Sequence, residues 1–385
     1  MALKNNTWTL NQWYDQDVAG NVSYSSNIKH LYGWGRNDTG GILADNTIID
    51  RSSPTQIPGS TWKYISCAGD NAYNAMGLKT DGTMWVWGRN LTGDLGQNQA
   101  DAQLFGVSSP VQIPGTNWSD AFHCSTSQGI ATKTDGTLWI WGSGNDGMIG
   151  QNQPNNADYS SPVQIPGTTW GTTRGKVGRS TAVKTDGTLW AWGAGSSLAN
   201  NLSGNPGRRS SPIQIPGTNW STIQSTAYGN CAVKTDGTLW IWGQQVNLGK
   251  FGQNNNTNYS SPIQIPGTWN TTMTGGNMYT TAFIRQDGTL WMSGHNEHGY
   301  LGQNDTINRS SPVQVPGTWN EIGIGKESFM GIRTDGTSWI WGNNARGQLG
   351  LNQPETTYYS SPVQVPGDWE QPMGGQYQMF ALQPQ

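Results

Sequence analysis

The decapeptide KTDGTLWIWG stands at residues 133–142 and again at 234–243, and near-copies of it occur four more times. A period this regular constrains the fold more than any single residue does. The Asp-Gly pair inside it falls at Asp81, Asp135, Asp186, Asp236, Asp287 and Asp335, spaced by 54, 51, 50, 51 and 48 residues. Ser-Ser-Pro recurs seven times, its proline at Pro54, Pro110, Pro162, Pro212, Pro262, Pro312 and Pro362. Trp-Gly recurs at Trp34, Trp87, Trp141, Trp192, Trp242 and Trp341, and Ser293-Gly294 takes the one missing place. The markers define seven units of about fifty residues, the signature of a repeat array.

The tryptophans follow the same count. Seven come after the Pro-Gly turn, at Trp62, Trp118, Trp170, Trp220, Trp269, Trp319 and Trp369. Six follow Asp-Gly-Thr, at Trp85, Trp139, Trp190, Trp240, Trp291 and Trp339. With the Trp-Gly set they account for nineteen of twenty-one, leaving Trp8 and Trp13 outside the pattern. A binding site places an aromatic residue once or twice, whereas a framework places one in every unit. These nineteen are therefore expected to build the core, each burying ~150–250 Å².

Each unit reads as four short strands. In residues 218–267 these are TNWSTIQST, GNCAVKT, TLWIWG and SPIQIP. Asp-Gly is a strong hairpin signal and predicts a type I′ turn between the second and third strands. Pro-Gly suits a type II turn after the fourth. Helical periodicity is absent. Four antiparallel strands in seven copies predict an all-β, seven-bladed propeller, a ring in which only short sheet edges remain exposed.

The unit G-x-x-x-A-V-K-T-D-G-T-L-W-x-W-G-x-N-x-x-G-Q-L-G-x-N, followed by S-S-P-x-Q-I-P-G, resembles the repeat of the regulator of chromosome condensation family. Its G-x-L-G element stands at Gly347-Gln348-Leu349-Gly350, Gly299-Tyr300-Leu301-Gly302 and Gly93-Asp94-Leu95-Gly96. It loosens at Gly147-Met148-Ile149-Gly150 and Gly249-Lys250-Phe251-Gly252, and is unrecognisable around 196–202. The resemblance covers about residues 28–385 and implies a seven-bladed propeller. The family's founding member is a nuclear exchange factor for a small GTPase that binds chromatin. Those activities rest on insertions and loop residues that match no position in this sequence.

The ends of the chain predict how the ring closes. LYGWG at 31–35 already corresponds to a third strand, while Trp369 and MFALQ correspond to first and second strands. The first blade is thus expected from 28–59 plus 368–385, with blades two to seven at 60–115, 116–167, 168–217, 218–267, 268–317 and 318–367. Residues 1–27 are left as an arm or strap, with Trp8, Trp13 and Tyr14 as candidate docking residues.

Little in the chain suggests chemistry. Six aspartates at one offset are expected to serve their hairpins. His30 and His123 have no partner motif, and His295-Asn296-Glu297-His298 falls where the next unit reads Asn343-Asn344-Ala345-Arg346, the mark of a variable loop. Cys67, Cys124 and Cys231 are odd in number and unrelated in offset, which predicts free core thiols. No glycine run has the phosphate-loop context. The expectation is a non-enzyme with no metal and no cofactor. Charged residues are only 12%, against roughly 25% in ordinary globular proteins. The net charge of −3 and the lack of Lys/Arg clusters argue against nucleic acid. No apolar h-region opens the chain and no stretch is long enough to span a bilayer, so neither secretion by signal peptide nor membrane insertion is expected.

In a four-stranded meander, the first-to-second and third-to-fourth connections share one face. Those connections vary between units, at 70–74, 89–92, 175–178, 244–247, 295–298 and 326–328, whereas the opposite face carries the near-identical KTDGT and PGT turns. Recognition is expected on the variable face, through Arg89, Asn90, Lys176, Gln244, Gln245, His295, Glu297, His298, Lys326, Glu327 and Arg346. A surface rich in Asn, Gln, Thr and Trp, with few charges and no disulfide framework, points to a bacteriophage virion component such as a fibre, tail or capsid-decorating protein. Such a protein is made in the host cytoplasm and binds other virion proteins or a host receptor or glycan. The alternatives are a bacterial carbohydrate- or protein-binding propeller, extracellular or cytoplasmic, and an exchange factor, to which the acidic, Lys-poor chain gives least support.

Overall fold

The computed structural model describes residues 28–67, 73–99, 106–124, 128–153, 157–173, 175, 177–178, 180–194, 198–199, 208–225, 228–245, 249–277 and 279–385, with backbone alone at 122–124, 177–178 and 271–275. The expected arm with Trp8, Trp13 and Tyr14 lies outside the described residues, and so does Lys176.

One complete blade consists of Trp62–Cys67, Asn74–Lys79, Met84–Arg89 and Gly106–Ile113, hydrogen-bonded in chain order. Five sheets have four strands. The sixth has seven, because the sixteen-residue strand Arg309–Ile324 ends one blade and begins the next. The strands therefore make seven blades, and their first strands touch one another in turn around a closed ring. The one helical element among the described residues is the 3₁₀ turn Asn145–Gly147. No helix among them is long and apolar enough to cross a membrane.

The expected closure holds. Lys29–Gly35 and Arg51–Ile57 share a sheet with Glu370–Gly374 and Gln378–Pro384. Seven consecutive pairs run from Lys29 opposite Pro384 to Gly35 opposite Gln378. The fourth blade is thinner than the repeat predicts. Its first strand is reduced to Val177–Gly178, and Trp170 makes only an isolated bridge to Lys184. Gly171, Gly175 and Gly178 interrupt this segment, and glycine weakens a strand by its entropy and its lack of a side chain to pack.

Among the described residues the core is divided into seven clusters, each sandwiched between neighbouring blades. One packs Leu31, Ile57, Phe380 and Leu382 against Trp62, Ile65 and Trp87, and another closes the circle with Trp34, Met379 and Ala381 against Met330, Ile340 and Leu349. The tryptophans divide accordingly. The Pro-Gly and Trp-Gly sets are buried, whereas Trp85, Trp139, Trp190, Trp240, Trp291 and Trp339 are only half-buried.

The Trp-Gly residues latch blade to blade. Trp34 Nε1 donates to Gln348 O, Trp87 to Ile42 O, Trp141 to Asp94 O, Trp192 to Met148 O and Trp341 to Tyr300 O, at 2.7–2.9 Å. Each acceptor is the second residue of the G-x-L-G turn of the preceding blade or of its variants Gly41-Ile42-Leu43-Ala44 and Gly147-Met148-Ile149-Gly150. Ser293, in the deviant unit, sends its Oγ to Lys250 O at 2.8 Å and so keeps the bond without the ring. The lost volume returns on the neighbouring strand. Buried Phe283 stands where other blades have Gly77, Ala131 or Gly331. A second hook follows the same turn. Asn98, Asn152, Asn304 and Asn352 sit at left-handed φ, and their N–H groups bond Ser160, Ser210, Ser360 and Ser52, the first serine of Ser-Ser-Pro in the next blade. The two most regular motifs of the sequence are thus the two halves of one interblade joint.

The hairpin differs from the type I′ turn expected. Gly82 N bonds Lys79 O and Lys79 N bonds Thr83 O, with positive φ at Gly82 and not at Asp81. This is the three-residue loop with glycine in the left-handed position. Aspartate is needed because Asp81 Oδ1 accepts from both the N and the Oγ1 of Thr83, at 2.9 and 2.7 Å.

Candidate interaction surface

On the turn face every Asp-Gly carboxylate is engaged as at Asp81. The threonine bonds hold Asp81, Asp135, Asp186, Asp236, Asp287 and Asp335 below the usual carboxylate range. Each threonine passes the chain onward, since Trp85 Nε1 donates to Thr83 Oγ1 at 2.9 Å and the other five half-buried tryptophans do likewise. Above them a cation lies against two indoles. Lys79 Nζ is 4.9 Å from the Trp62 ring centre and 4.5 Å from that of Trp85, and Lys133, Lys184, Lys234, Arg285 and Arg333 repeat the arrangement. Cation–π contact of this kind contributes ~0.5–2 kcal/mol according to exposure.

Two residues expected on the contact surface are internal instead. Asn90 and Gln245 are fully buried. Asn90 Oδ1 accepts from Leu95 N while its Nδ2 donates to Gln99 O, and Gln245 spans Phe251 N and Thr257 O in the same way. Asn296 and Asn344 do this in their own blades. A buried amide is retained when both ends are satisfied, so this position supports the loop from within.

The other candidates lie on the surface. Gln244 and Glu297 are exposed, while Arg89, His295, His298, Lys326, Glu327 and Arg346 are half-buried. His295 lies between the rings of Tyr279 and Tyr300, 5.7 and 5.6 Å away, and 3.5 Å from Glu297. Burial pulls its pKa down in spite of Glu297. His298 Nδ1 is 3.1 Å from the Tyr300 hydroxyl. The tyrosines use both imidazoles as packing partners, and no group of three or more His, Cys, Asp or Glu gathers among the described residues. Glu327 accepts from Asn343 Nδ2 at 2.7 Å, and Arg346 lies 3.6 Å from both Asp38 and Asp50 across a blade boundary. Cys67 is a free, buried thiol, and the buried Cys231 thiol donates to Gln224 O.

Several residues of this surface were not anticipated. Arg36 packs over Tyr73 and Tyr377 at 5.3 and 5.8 Å, and Lys326 lies 5.4 Å from the Tyr377 ring. A strip of tyrosines and charges thus crosses blades six, seven, one and two. Its signal is present in the repeat. The residue before the second strand is Tyr73, Tyr228, Tyr279 or Tyr377 in four blades and Glu327 in another. In each, its carbonyl accepts from the residue after Trp-Gly or Ser-Gly. That glycine has positive φ, and a Cβ at Gly88 or Gly342 would collide with the same carbonyl.

No family model matches the chain. The mitochondrial RCC1 domain-containing protein RUG3 of Arabidopsis thaliana is 26% identical over 187 residues, covering 46% of this chain and 40% of that protein. The ultraviolet-B receptor UVR8 of the same plant is 28% identical over 140 residues, covering 35% and 30%. Each match thus spans less than half of its curated relative. Among solved structures, human WBSCR16 superposes with a TM-score of 0.77 at 16% identity, over 92% of this chain and 98% of that one. Yeast RCC1 (Prp20), solved bound to Kap60, gives 0.76 at 16% identity, over 93% and 90%. A further structure of Prp20p from Saccharomyces cerevisiae, described with its binding to Gsp1p and histones, gives 0.76 over 95% and 94%. By repeat, blade closure and superposition, the chain folds as a seven-bladed β-propeller similar to RCC1.

Proposed function

We propose that this chain is a non-catalytic propeller that binds a protein partner through its loop face, with Tyr279, Tyr377 and Tyr73 at the centre of the contact. The observation that carries this reading is the concentration of tyrosine and arginine across four adjacent blades, the side chains that dominate protein-interface energetics. Arg36, Lys326 and Arg346 are already held by rings or carboxylates, so a partner meets a preorganised surface. A photo-cross-linking side chain at Tyr377 is expected to label a protein that the same group at Asp236, on the turn face, does not. Equal labelling from both faces sinks the reading.

A second reading is favoured by the fold. Prp20p is described with Gsp1p binding, so exchange activity on a GTPase of that type ranks above the place that net charge alone gives it. Release of a fluorescent guanine nucleotide from Gsp1p, accelerated by this chain and lost with Tyr377→Ala, supports it, and an unchanged release rate removes it. The virion reading, with its location in a phage particle, rests on composition and on residues 1–27. The relatives above lend it no support. Deleting 1–27 tests it, because a docking arm can be removed from a folded propeller and a strap cannot.

A further inference from the structure

The outer mouth of the boundary between the second and third blades is a cleft of about 290 Å³ that the proposed protein contact does not use. One wall is Trp139 with Lys133 Nζ 4.2 Å from its ring centre, and Pro114 and Pro162 supply apolar edges. Trp118 and Gly96 also line the cleft, and Gln97, Asn98 and Ser161 add polar groups. Gln97 spends its amide nitrogen on Leu95 O and Gln112 O, which fixes the side chain. Ser161 Oγ bonds Asn98 Oδ1 at 3.2 Å, joining the two sides of the opening. The cleft is at the small end of ligand sites, which run from ~300 Å³ upward.

We propose that this cleft binds one uncharged hexopyranose unit of a glycan. A half-buried indole offers a flat apolar surface to one side of a sugar ring, and an ammonium, two amides and a hydroxyl offer bonds to its rim. An anion is disfavoured because the exposed carboxylate of Asp135 lies close enough to Lys133 to feel its charge. The site also recurs around the ring. Gln303, Asn304, Arg333, Trp339 and Pro362 repeat the residue types between the sixth and seventh blades. The closing boundary breaks the pattern, with Leu351, Gln383 and Tyr32 where the second and third blades have Gln97, Lys133 and Trp139. Several weak copies on a rigid ring give avidity toward a surface carrying many sugars.

The test follows the indole N–H resonances of the ¹⁵N-labelled full chain during titration with the methyl glycosides of glucose, galactose, mannose and N-acetylglucosamine. The Trp139 signal is assigned by its loss in Trp139→Phe. At least one glycoside is expected to move it saturably, and Lys133→Met, which keeps the aliphatic stem between the two indoles, is expected to weaken that titration at least tenfold. Ser161→Trp, which fills the mouth, is expected to abolish it while the Trp339 signal still responds. A Trp139 signal that none of the four glycosides moves up to its solubility overturns the proposal. So does a response indifferent to both variants, or a response to decaproline in place of the sugars, which assigns the cleft to an extended peptide.

Discussion

Trp85 and Trp87 lie on one strand and face the same side, yet they do different work, and replacing each by phenylalanine separates the two roles. Trp87 is fully buried, packs 5.8 Å from Trp62, and donates to Ile42 O of the neighbouring blade at 2.7 Å. Phenylalanine strands that carbonyl, at ~1–3 kcal/mol, and removes ring atoms from a close-packed boundary, at ~2 kcal/mol more. The expected cost of Trp87→Phe is therefore about 3–5 kcal/mol. Trp85 is half-buried and its Nε1 reaches only Thr83 in its own hairpin. Trp85→Phe gives up an exposed hydrogen bond and part of the contact with Lys79, about 1 kcal/mol in all. Urea unfolding followed by far-UV circular dichroism, which does not depend on indole emission, measures both. Equal costs, or a Trp87→Phe loss under about 1 kcal/mol, refute the claim that the interblade latch matters beyond the volume of the ring.

Three further outcomes are expected. Burial raises the carboxyl of Asp94 from its ordinary 3.8 to about 6; the fold therefore favours its protonated form, and the contribution to stability is complete below pH 3.8 and disappears as pH rises through 6. Asp94→Asn is expected to remove this slope, at the cost of one of the two bonds that Asp94 accepts from Asn74 Nδ2 and Thr92 N, and a parallel pair of pH–stability curves contradicts it. Asn304, at φ 59°, is expected to tolerate Gly and to lose about 1 kcal/mol on change to Ala, so equal stability of the two variants shows that the left-handed position is unstrained. Deleting 369–385 removes buried Met379, Phe380, Ala381 and Leu382 and leaves Lys29–Gly35 paired on one edge alone, with Arg51–Ile57, and the product is expected to aggregate, whereas a soluble, cooperatively melting truncation disproves the closure.

The fold was legible because its determinants are local and repeated. Asp-Gly, Pro-Gly and the spaced tryptophans each report a turn or a strand directly, and the unmatched ends revealed the shared blade. The hairpin type was misread because Asp-Gly serves two loop lengths, and only the hydrogen bonds from Thr83 tell them apart. The surface was legible as a face but not as residues. Variable loops mark where recognition belongs, but Asn90 and Gln245 are variable in type while buried in place, since any side chain that spans the two loop strands will serve. Tyr73 and Tyr377, both packed against Arg36, are 304 residues apart in the chain, and no spacing rule connects them before the ring is closed.

The closing blade also orders events in time. Lys29–Gly35 leaves the ribosome ahead of every other described strand, but its partner Gln378–Pro384 is made last. The later blades can each form as they emerge, because their strands are neighbours in sequence and contacts of low sequence separation form quickly. Leu31 and Trp34 must wait, with their apolar faces uncovered, until that strand has been made. A growing chain of this kind is held open at one seam until Gln378–Pro384 arrives, and anything that delays the making of that strand prolongs the interval in which two chains can zip together where one should.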